Sequence, residues 1–516
     1  MSLKGIFTTI DKVRRDVFTE VAKFAYEGED YNDLEQIPFN IIPGEIASHR
    51  ESIFLERAIV GERVRLAMGL PLRKVSEHAA LSTGIDEETV ANTIYKPPFV
   101  NIIKFACNSC PDNKYFTTDI CRGCLASPCI EVCPKNAVSM VNGKSFIDQE
   151  KCIKCGRCKS VCPYGAIAKL ERPCAKACGM DAIGSDKYGR ASIDYEKCVS
   201  CGVCMSSCPF GAIADKTQIF QLINEIKSGG KVIAEIAPAF VGQFGPKVTP
   251  SKLRAALLEL GFYDVVEVAI GADLCTIEEA EDFMSKVPEK LDFMATSCCP
   301  AWSVMAKKQF PEFKENISMA MTPMVFTARF IKQRFPDTKV VFIGPCVAKK
   351  SEATRKSVKS HVDYVLTYEE VMGMFEAKNI NLEEIEPSDK MNYGTGAGRG
   401  FAVSGGVAAA VADVIKKHHP EMDVKIDSAD GLKECKNMLM LAKAGKRNGY
   451  LLEGMACPGG CVAGTGTIQP VKKSTANVNT YKKNAEIQFA DESKYADLLE
   501  KMDDSWFDNW HIEKQI

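Results

Sequence analysis

Sixteen cysteines fall between positions 107 and 208, most of them only two or three residues from the next. Gaps that short cannot carry successive thiols apart. They turn them toward a shared point, so this stretch must fold around metal rather than around an apolar core. A disulfide scaffold has another pattern, a short secreted chain with cysteines scattered through its loops.

The block repeats itself. KCIKCGRCKSVCPYGAI at 151–167 and KCVSCGVCMSSCPFGAI at 197–213 are near copies. Each is a C-x2-C-x2-C-x3-C-P run of the bacterial ferredoxin kind, in which three cysteines wrap one 4Fe-4S cube and the fourth reaches a second. A looser copy holds Cys121, Cys124, Cys129 and Cys133, a truncated one holds Cys174 and Cys178, and Cys107 and Cys110 stand alone upstream. At four ligands each, sixteen cysteines make about four accessory 4Fe-4S cubes. If neighbouring runs pair, the sets are Cys121, Cys124, Cys129 with Cys162; Cys152, Cys155, Cys158 with Cys133; Cys198, Cys201, Cys204 with Cys178; and Cys107, Cys110, Cys174 with Cys208. Alternatively the two perfect runs pair with each other, or Cys107, Cys110, Cys121 and Cys124 form a zinc knuckle. A row of cubes conducts electrons between a surface partner and a buried site.

The rest of the 516 residues implies two to four domains. Residues 1–100 lack cysteine and carry helical periodicity, as at 52–69, up to a break at Lys96-Pro97-Pro98. They read as a mostly helical N-terminal domain for packing or docking. Residues 101–215 are the ferredoxin-like multi-cluster domain. From 216 to 470, short β-rich runs (KVIAEIAPA at 231–239, KVVFIGP at 339–345) alternate with helical stretches at 250–260 and 320–335. That alternation predicts an α/β domain with mainly parallel sheets and flanking helices. Residues 471–516 read as a helical tail packed on it. The 65 basic and 67 acidic residues nearly cancel, which argues against nucleic acid as a partner. No apolar run reaches the roughly 18 residues of a membrane span, and no secretory leader is visible, so a cytoplasmic location is expected.

Three further strings carry cysteines in this order: TSCCPAW at 296–302, IGPCVAKKSEA at 343–353 and EGMACPGGCVAGTG at 453–466. They resemble the three signature segments of the iron-only hydrogenase catalytic domain, over roughly 125–470. The resemblance implies that Cys299, Cys346, Cys457 and Cys461 hold a 4Fe-4S cube. Cys461 would also bridge to a diiron subsite with carbonyl, cyanide and dithiolate ligands, completing the H-cluster. It implies reversible interconversion of H2 with protons and electrons, ferredoxin or a similar carrier as electron partner, and dedicated enzymes that assemble the diiron site.

The same resemblance assigns roles. Lys349 would donate to a cyanide ligand, although a lysine beside Lys350 also reads as solvated surface. Met455 would pack over the diiron site, and Cys298 would pass protons to it. Glu279, Asp282 and Ser318 stand where the family keeps an outer relay, with Glu278 and Glu281 as alternatives. Ala237-Pro238-Ala239, Thr322-Pro323-Met324 and Gly344-Pro345 would line the pocket, and SGGV at 404–407 matches another family loop. Gly344 replaces a common methionine, Met324 a common glutamine, and Gly464-Thr465-Gly466 a glycine triplet. These departures and the extended cysteine block suggest a group B-type member.

Other signals are weak. Gly394-x-Gly-x-Gly398 follows no clear strand and reads as a mobile loop. No histidine pair has HExxH spacing and no flavin or NAD fingerprint is visible, so the electron partner is expected to be a protein. Cys275 and Cys435 read as buried structural thiols. Two other functions share this pattern. One is an H2 sensor, which would carry a PAS or kinase-like module. The other is an iron–sulfur carrier or assembly protein of the same fold, which would lack counterparts of Cys298 and Lys349.

Overall fold

The structure is a computed structural model that describes residues 5–28, 30–85, 96–389, 391 and 393–501. Its first long helix, Thr9–Glu27, starts at a capping box in which Thr8 and Asp11 satisfy each other's backbone amides. The next, Ile53–Ala67, starts where the Ser52 side chain accepts from the Phe54 amide. These helices have no separate core. Val17, Phe18, Val21, Val60 and Val64 pack with Ile219 and Phe220 of helix Ile219–Lys227 and with Val371 and Phe375 of helix Tyr368–Ala377. Gly373 makes the approach possible, since a Cβ there would lie 2.7 Å from that of Phe18.

The cysteine block is two ferredoxin-like modules, one inserted into the other. Strands Lys114–Thr117 and Ile167–Leu170 pair antiparallel, as do Val138–Val141 and Lys144–Ile147, forming the inner module. Strands Val100–Ile102 and Ile213–Asp215 pair around it, with the hairpin Ile183–Ser185 and Ala191–Ile193, forming the outer module. The isolated Cys107-x2-Cys110 is therefore the first half of a ferredoxin run. Its second half, Cys174-x3-Cys178, follows after the inner module.

The remainder is α/β. One parallel sheet runs in the order Asp264–Glu267, Val232–Ile236, Lys339–Ile343, Tyr364–Leu366. The other runs Phe293–Ala295, Tyr450–Met455, Lys425–Asp430, also parallel. The first strand to be laid down, Val232–Ile236, is buried at every position, as a central parallel strand must be. Helices Pro250–Glu259 and Pro323–Arg334 occupy the two periodic stretches read from sequence. The glycine-rich segment at 394–398 is not a mobile loop. It enters the short buried helix Gly396–Gly400, where Gly398 packs on the helix Ala269–Lys286, a Cβ there lying 2.4 Å from the Ala269 carbonyl, while Gly396 and Gly400 face Lys482. In the tail, helix Val471–Lys483 buries Ser474 and Val478, and residues 502–516 lie outside the described part. No described helix is long and apolar enough to cross a membrane.

One buried lysine ties the three parts together. Lys350 is fully buried rather than solvated. Its ammonium lies 2.7 Å from Asp215 at the end of the outer module and 2.7 Å from Glu370 on helix Tyr368–Ala377, and it donates to the Lys216 carbonyl. Arg14 of the first helix reaches Glu369 at 2.7 Å and Asp215 at 3.7 Å. Burial alone would raise the Asp215 pKa, but Lys350 and Arg14 hold it below the usual carboxylate range. Replacing Lys350 by Met leaves two buried carboxylates facing each other. The expected loss is about 3–5 kcal/mol, seen as a lower thermal unfolding midpoint of the anaerobic protein; an unchanged midpoint would contradict this account of the junction.

Candidate functional site

The sixteen cysteines of the block separate into four neighbourhoods. Cys121, Cys124, Cys129 and Cys162 line one small cavity with Pro128, Ser145 and Tyr164. Cys107, Cys110, Cys174 and Cys208 line another with Arg172 and Ala191. Cys107/Cys110 and Cys121/Cys124 thus face different cavities, which removes the geometry a shared zinc knuckle needs. Cys198, Cys201 and Cys204 feel one another and Cys178 electrostatically. Cys158 feels Cys152 and Cys155, and Cys133, left over from the other three sets, packs in a small core shared by Cys158, Cys152, Cys129 and Cys162.

Backbone amides point at the sulfurs. Ala137 donates to Cys133 at 3.2 Å, Ala182 to Cys178 at 3.3 Å, Ala191 to Cys107 at 3.3 Å and Ala166 to Cys162 at 3.4 Å. Hydrogen bonds to sulfur favour the thiolate that iron requires and tune a bound cluster. Among the described residues, no three His, Cys, Asp or Glu side chains are placed to hold a single ion. A cube differs from a single ion in presenting four separate irons, one to each thiolate.

The second cysteine set is assembled from loop ends. Cys299 caps the helix Pro300–Gln309, and the Ala456 amide donates to its sulfur at 3.5 Å. Cys346 follows strand Lys339–Ile343, while Cys457 and Cys461 follow strand Tyr450–Met455. Trp302 locks the first segment to the third. Its indole donates to the Thr296 carbonyl at 2.9 Å, and its ring lies on Gly454, where a Cβ would approach within 2.2 Å. Burial pushes the Cys346 thiol up to about 11, with Cys299 adding to the shift; Cys299, Cys457 and Cys461 are raised in the same way. Four half-buried cysteines whose thiolates would repel one another are a poor set of free thiolates and a good set of iron ligands, since the metal supplies the missing positive charge. Cys201 neighbours Cys299 and Cys457, so the Cys198–Cys204 loop abuts this centre. The link is tightened by Thr465, which packs on Gly202; a Cβ there would lie 2.8 Å from its hydroxyl.

Around the centre, Lys349 is buried, 2.6 Å from Glu352, and donates to the Cys298 carbonyl at 3.3 Å. Ala237, Met324 and Met455 are buried in one apolar cluster with Phe342, against which Cys298 and Cys299 pack. Pro238 and Ala239 open the short helix Pro238–Phe240, and Tyr368 donates to the Ala237 carbonyl at 2.8 Å. Thr322 and Pro323 begin the helix that carries Met324. The Pro345 carbonyl accepts from Gly466. A Cβ on Gly344 would lie 2.5 Å from the Phe342 ring, so this aromatic fills the space beside the glycine.

The residues that the resemblance assigns to the relay are distributed unevenly. Cys298 is partly buried, and burial followed by the nearby Glu279 raises its pKa well above the ordinary value. Glu279 is fully buried and accepts from the Ser297 amide at 3.1 Å. Burial pushes its carboxyl up to about 8, against the Ser297 amide and the Ser318 hydroxyl. Ser318 is buried, and its amide donates to the Ala295 carbonyl at 2.8 Å. Asp282 lies one turn outward on the Glu279 helix and pairs with Lys286 at 2.8 Å near the surface. Glu278 accepts from the Met321 amide at 3.3 Å.

Sequence reasoning passed over Glu352, Lys350 and Glu235. Glu235 is fully buried on the central strand, and neither carboxyl oxygen has a hydrogen-bond partner among the described residues. Burial raises its pKa well above normal, with Lys349 opposing. An orphaned carboxyl beside Lys349 fits a region that also accommodates a polar ligand group. An unusual acid inside an apolar strand, KVIAEIAPA, was the available signal.

Comparison with known proteins agrees with the architecture. A family model described as iron only hydrogenase large subunit, C-terminal domain, matches residues 230–465, and 4Fe-4S binding domain models match 146–168 and 191–214. Iron hydrogenase 1 of Clostridium pasteurianum is 30% identical over 410 residues, covering 69% of this chain and 71% of that protein. The periplasmic Fe hydrogenase large subunit of Nitratidesulfovibrio vulgaris is 32% identical over 378 residues, covering 63% and 86%. The cytosolic Fe-S cluster assembly factor narfl of Danio rerio is 26% identical over 279 residues, covering 44% and 68%.

The Glu279 shift has a measurable sign. From the ordinary value of 4.5 to about 8, the folded chain holds a proton that the unfolded chain has lost. Its contribution to stability is therefore full at the acidic end, falls as pH rises through that window, and levels off above it. Glu279→Gln, uncharged throughout, should flatten the fall in unfolding midpoint between mildly acidic and alkaline buffer. Equal slopes in the two proteins would contradict the assignment.

Proposed function

We propose that this chain, which belongs to the iron-only hydrogenase family, catalyses the reversible interconversion of H2 with protons and electrons. The observation that carries the reading is buried Lys349, which donates to the Cys298 backbone carbonyl, together with the Cys298 thiol, beside Cys299, Cys346 and Cys461. An iron–sulfur carrier has use for the four ligands but not for a thiol and an ammonium placed next to them.

Cys299, Cys346, Cys457 and Cys461 would hold the cube, and Cys461 would join it to the diiron subsite, which supplies the redox chemistry on hydrogen when bound. The protein's part is position, polarity and proton access. Lys349 is kept charged by Glu352 at 2.6 Å, so it presents an ammonium to an anionic group without leaving the apolar interior. The wall of Ala237, Met324, Phe342 and Met455 excludes water and strengthens that charge's influence. Cys298 holds a proton because burial disfavours its thiolate. Glu279, protonated up to about 8, can give a proton and take one back near neutral pH. Ser318 and then Asp282 lead from it toward solvent.

The accessory cysteines would hold four 4Fe-4S cubes in the neighbouring-run sets, with the Cys198, Cys201, Cys204, Cys178 cube next to the active centre. Ferredoxin or a similar carrier would exchange electrons at the outer end, and maturation enzymes would install the diiron subsite. A cytoplasmic location and the group B-type assignment belong to the same proposal.

Infrared spectra of anaerobically matured protein should show sharp carbonyl and cyanide bands that shift when argon is replaced by H2. No bands, beside a successfully matured control and with iron content confirming the cubes, would favour the assembly-protein alternative. Cys298→Ala should retain the bands and lose roughly 10²–10⁴-fold in H2 turnover, the range for removing a positioned proton donor. Full turnover by that variant would remove Cys298 from the relay.

A further inference from the structure

The Cys107, Cys110, Cys174, Cys208 site has surroundings unlike the other three. Two arginines are buried against it: Arg63 is 7% exposed and Arg172 is 3% exposed. Among the described residues neither forms an ion pair; both spend their hydrogen bonds on backbone carbonyls. Arg63, on helix Ile53–Ala67, donates to the Gly211 carbonyl, three residues past Cys208. A Cβ on Gly211 would lie 2.8 Å from that guanidinium, so the glycine admits it. Arg172 donates to the Cys110 carbonyl at 3.0 Å and to those of Gly184 and Gly189 at 2.6 and 2.8 Å. The helix of Arg63 packs Ile59 and Leu66 into the same core as Cys174 and Cys208.

A buried cation without a counter-charge is strongly unfavourable. The carboxylate that acts on Arg63, Asp215, is already held by Lys350 at 2.7 Å. Burial and the like charges of Arg14 and Arg50 pull the Arg63 pKa down to about 10, while the Cys208 sulfur and, less strongly, Asp215 act the other way. Arg63 therefore stays charged at neutral pH without a salt bridge among the described residues, and the negative charge acting on it most strongly comes from the cysteine site it faces. Four thiolates around a cube supply it. None of the other three accessory sites has a buried, carboxylate-free arginine among its described neighbours; the lysines beside Cys152 and Cys155 are exposed.

We propose that Arg63 and Arg172 are positioning residues that raise the reduction potential of the cube held by Cys107, Cys110, Cys174 and Cys208, making it the most readily reduced accessory cube. One-electron reduction adds one negative charge and makes or breaks no covalent bond. Two fixed positive charges in a low-dielectric surround favour the reduced form. The N-terminal helices thereby act on electron flow: Arg63 sets the charge, and Arg50, from the loop that Glu56 organises, also donates to the Phe210 and Ala106 carbonyls on either side of the site. This inference rests on the four-cube reading above.

The test is a potentiometric titration of the full-length, cluster-loaded protein, followed by electron paramagnetic resonance, with iron and sulfide counted first. In the wild type one accessory signal should be reduced before the others. Arg63→Gln should lower that midpoint alone, by at least a tenfold change in the reduction equilibrium, about 59 mV for one electron. Arg63→Lys should stay near wild type, and Arg172→Gln should lower the same signal. Unchanged midpoints in both Gln variants, with all cubes loaded, would overturn the proposal. If Arg63→Gln loses iron, a wild-type midpoint in Arg172→Gln overturns it equally. A wild type with too little iron for four accessory cubes would instead sink the cluster count.

Discussion

The buried ammonium of Lys350 is the contact on which the arrangement depends. It sits one residue after Lys349 and four after Cys346, so whatever fixes it fixes that side of the active centre. It is held by Asp215, seven residues after Cys208, and by Glu370 of the α/β domain. Electron transfer between cubes falls steeply with distance, and a joint made of flexible surface contacts would leave that distance loose. A buried charge with two carboxylates and a carbonyl around it has one good geometry, because every departure leaves an unpaired charge in the interior. Arg14 extends the same network to the first helix. The N-terminal segment is thereby part of the machine's frame, consistent with its sharing one apolar core with the α/β domain.

Much of this was legible in the residues. Ligand spacing is a local property, since C-x2-C-x2-C-x3-C-P works within one loop, and the alternation of β-rich and helical runs announces parallel sheet within windows of ten to twenty residues. Insertion is not local. Cys107-x2-Cys110 looked isolated because its continuation, Cys174-x3-Cys178, lies beyond the inner module. Only the antiparallel pairing of Val100–Ile102 with Ile213–Asp215 shows that one unit closes around another. A faint cue was present: MDAI after Cys178 echoes the YGAI and FGAI that close the perfect runs.

The active-site surroundings were legible in type but not in environment. A motif names Cys298 and Lys349, but not that Glu352 neutralises the lysine at 2.6 Å, nor that the neighbouring Lys350 is buried too. Consecutive lysines on a short helix ordinarily mean solvent on at least one face. Here the helix Ala348–Thr354 is wedged between the cysteine block and the α/β domain, so each lysine finds its own set of acids. Glu235 was hidden for the opposite reason. A single acid in an apolar strand looks like an exposed edge until the sheet order puts a strand on each side of it.

The departures from the family pattern have physical counterparts. Without a side chain on Gly344, the Phe342 ring occupies the adjacent volume, and Met324 extends the same apolar wall. A drier wall makes any charge inside it count for more, so it suits a site whose polar groups are few and individually balanced, as Lys349 is by Glu352. Thr465 works at another point. In the place of a glycine it reaches across to Gly202, between Cys201 and Cys204, and spans the gap between the active centre and the nearest accessory site. Adding a side chain on one surface is possible only because the facing residue has none, and Gly202 takes a φ of +76° in the cysteine loop. Under the proposed function the two changes would act on different properties of one centre, the first on the polarity around its reacting end and the second on the rigidity of its electron connection.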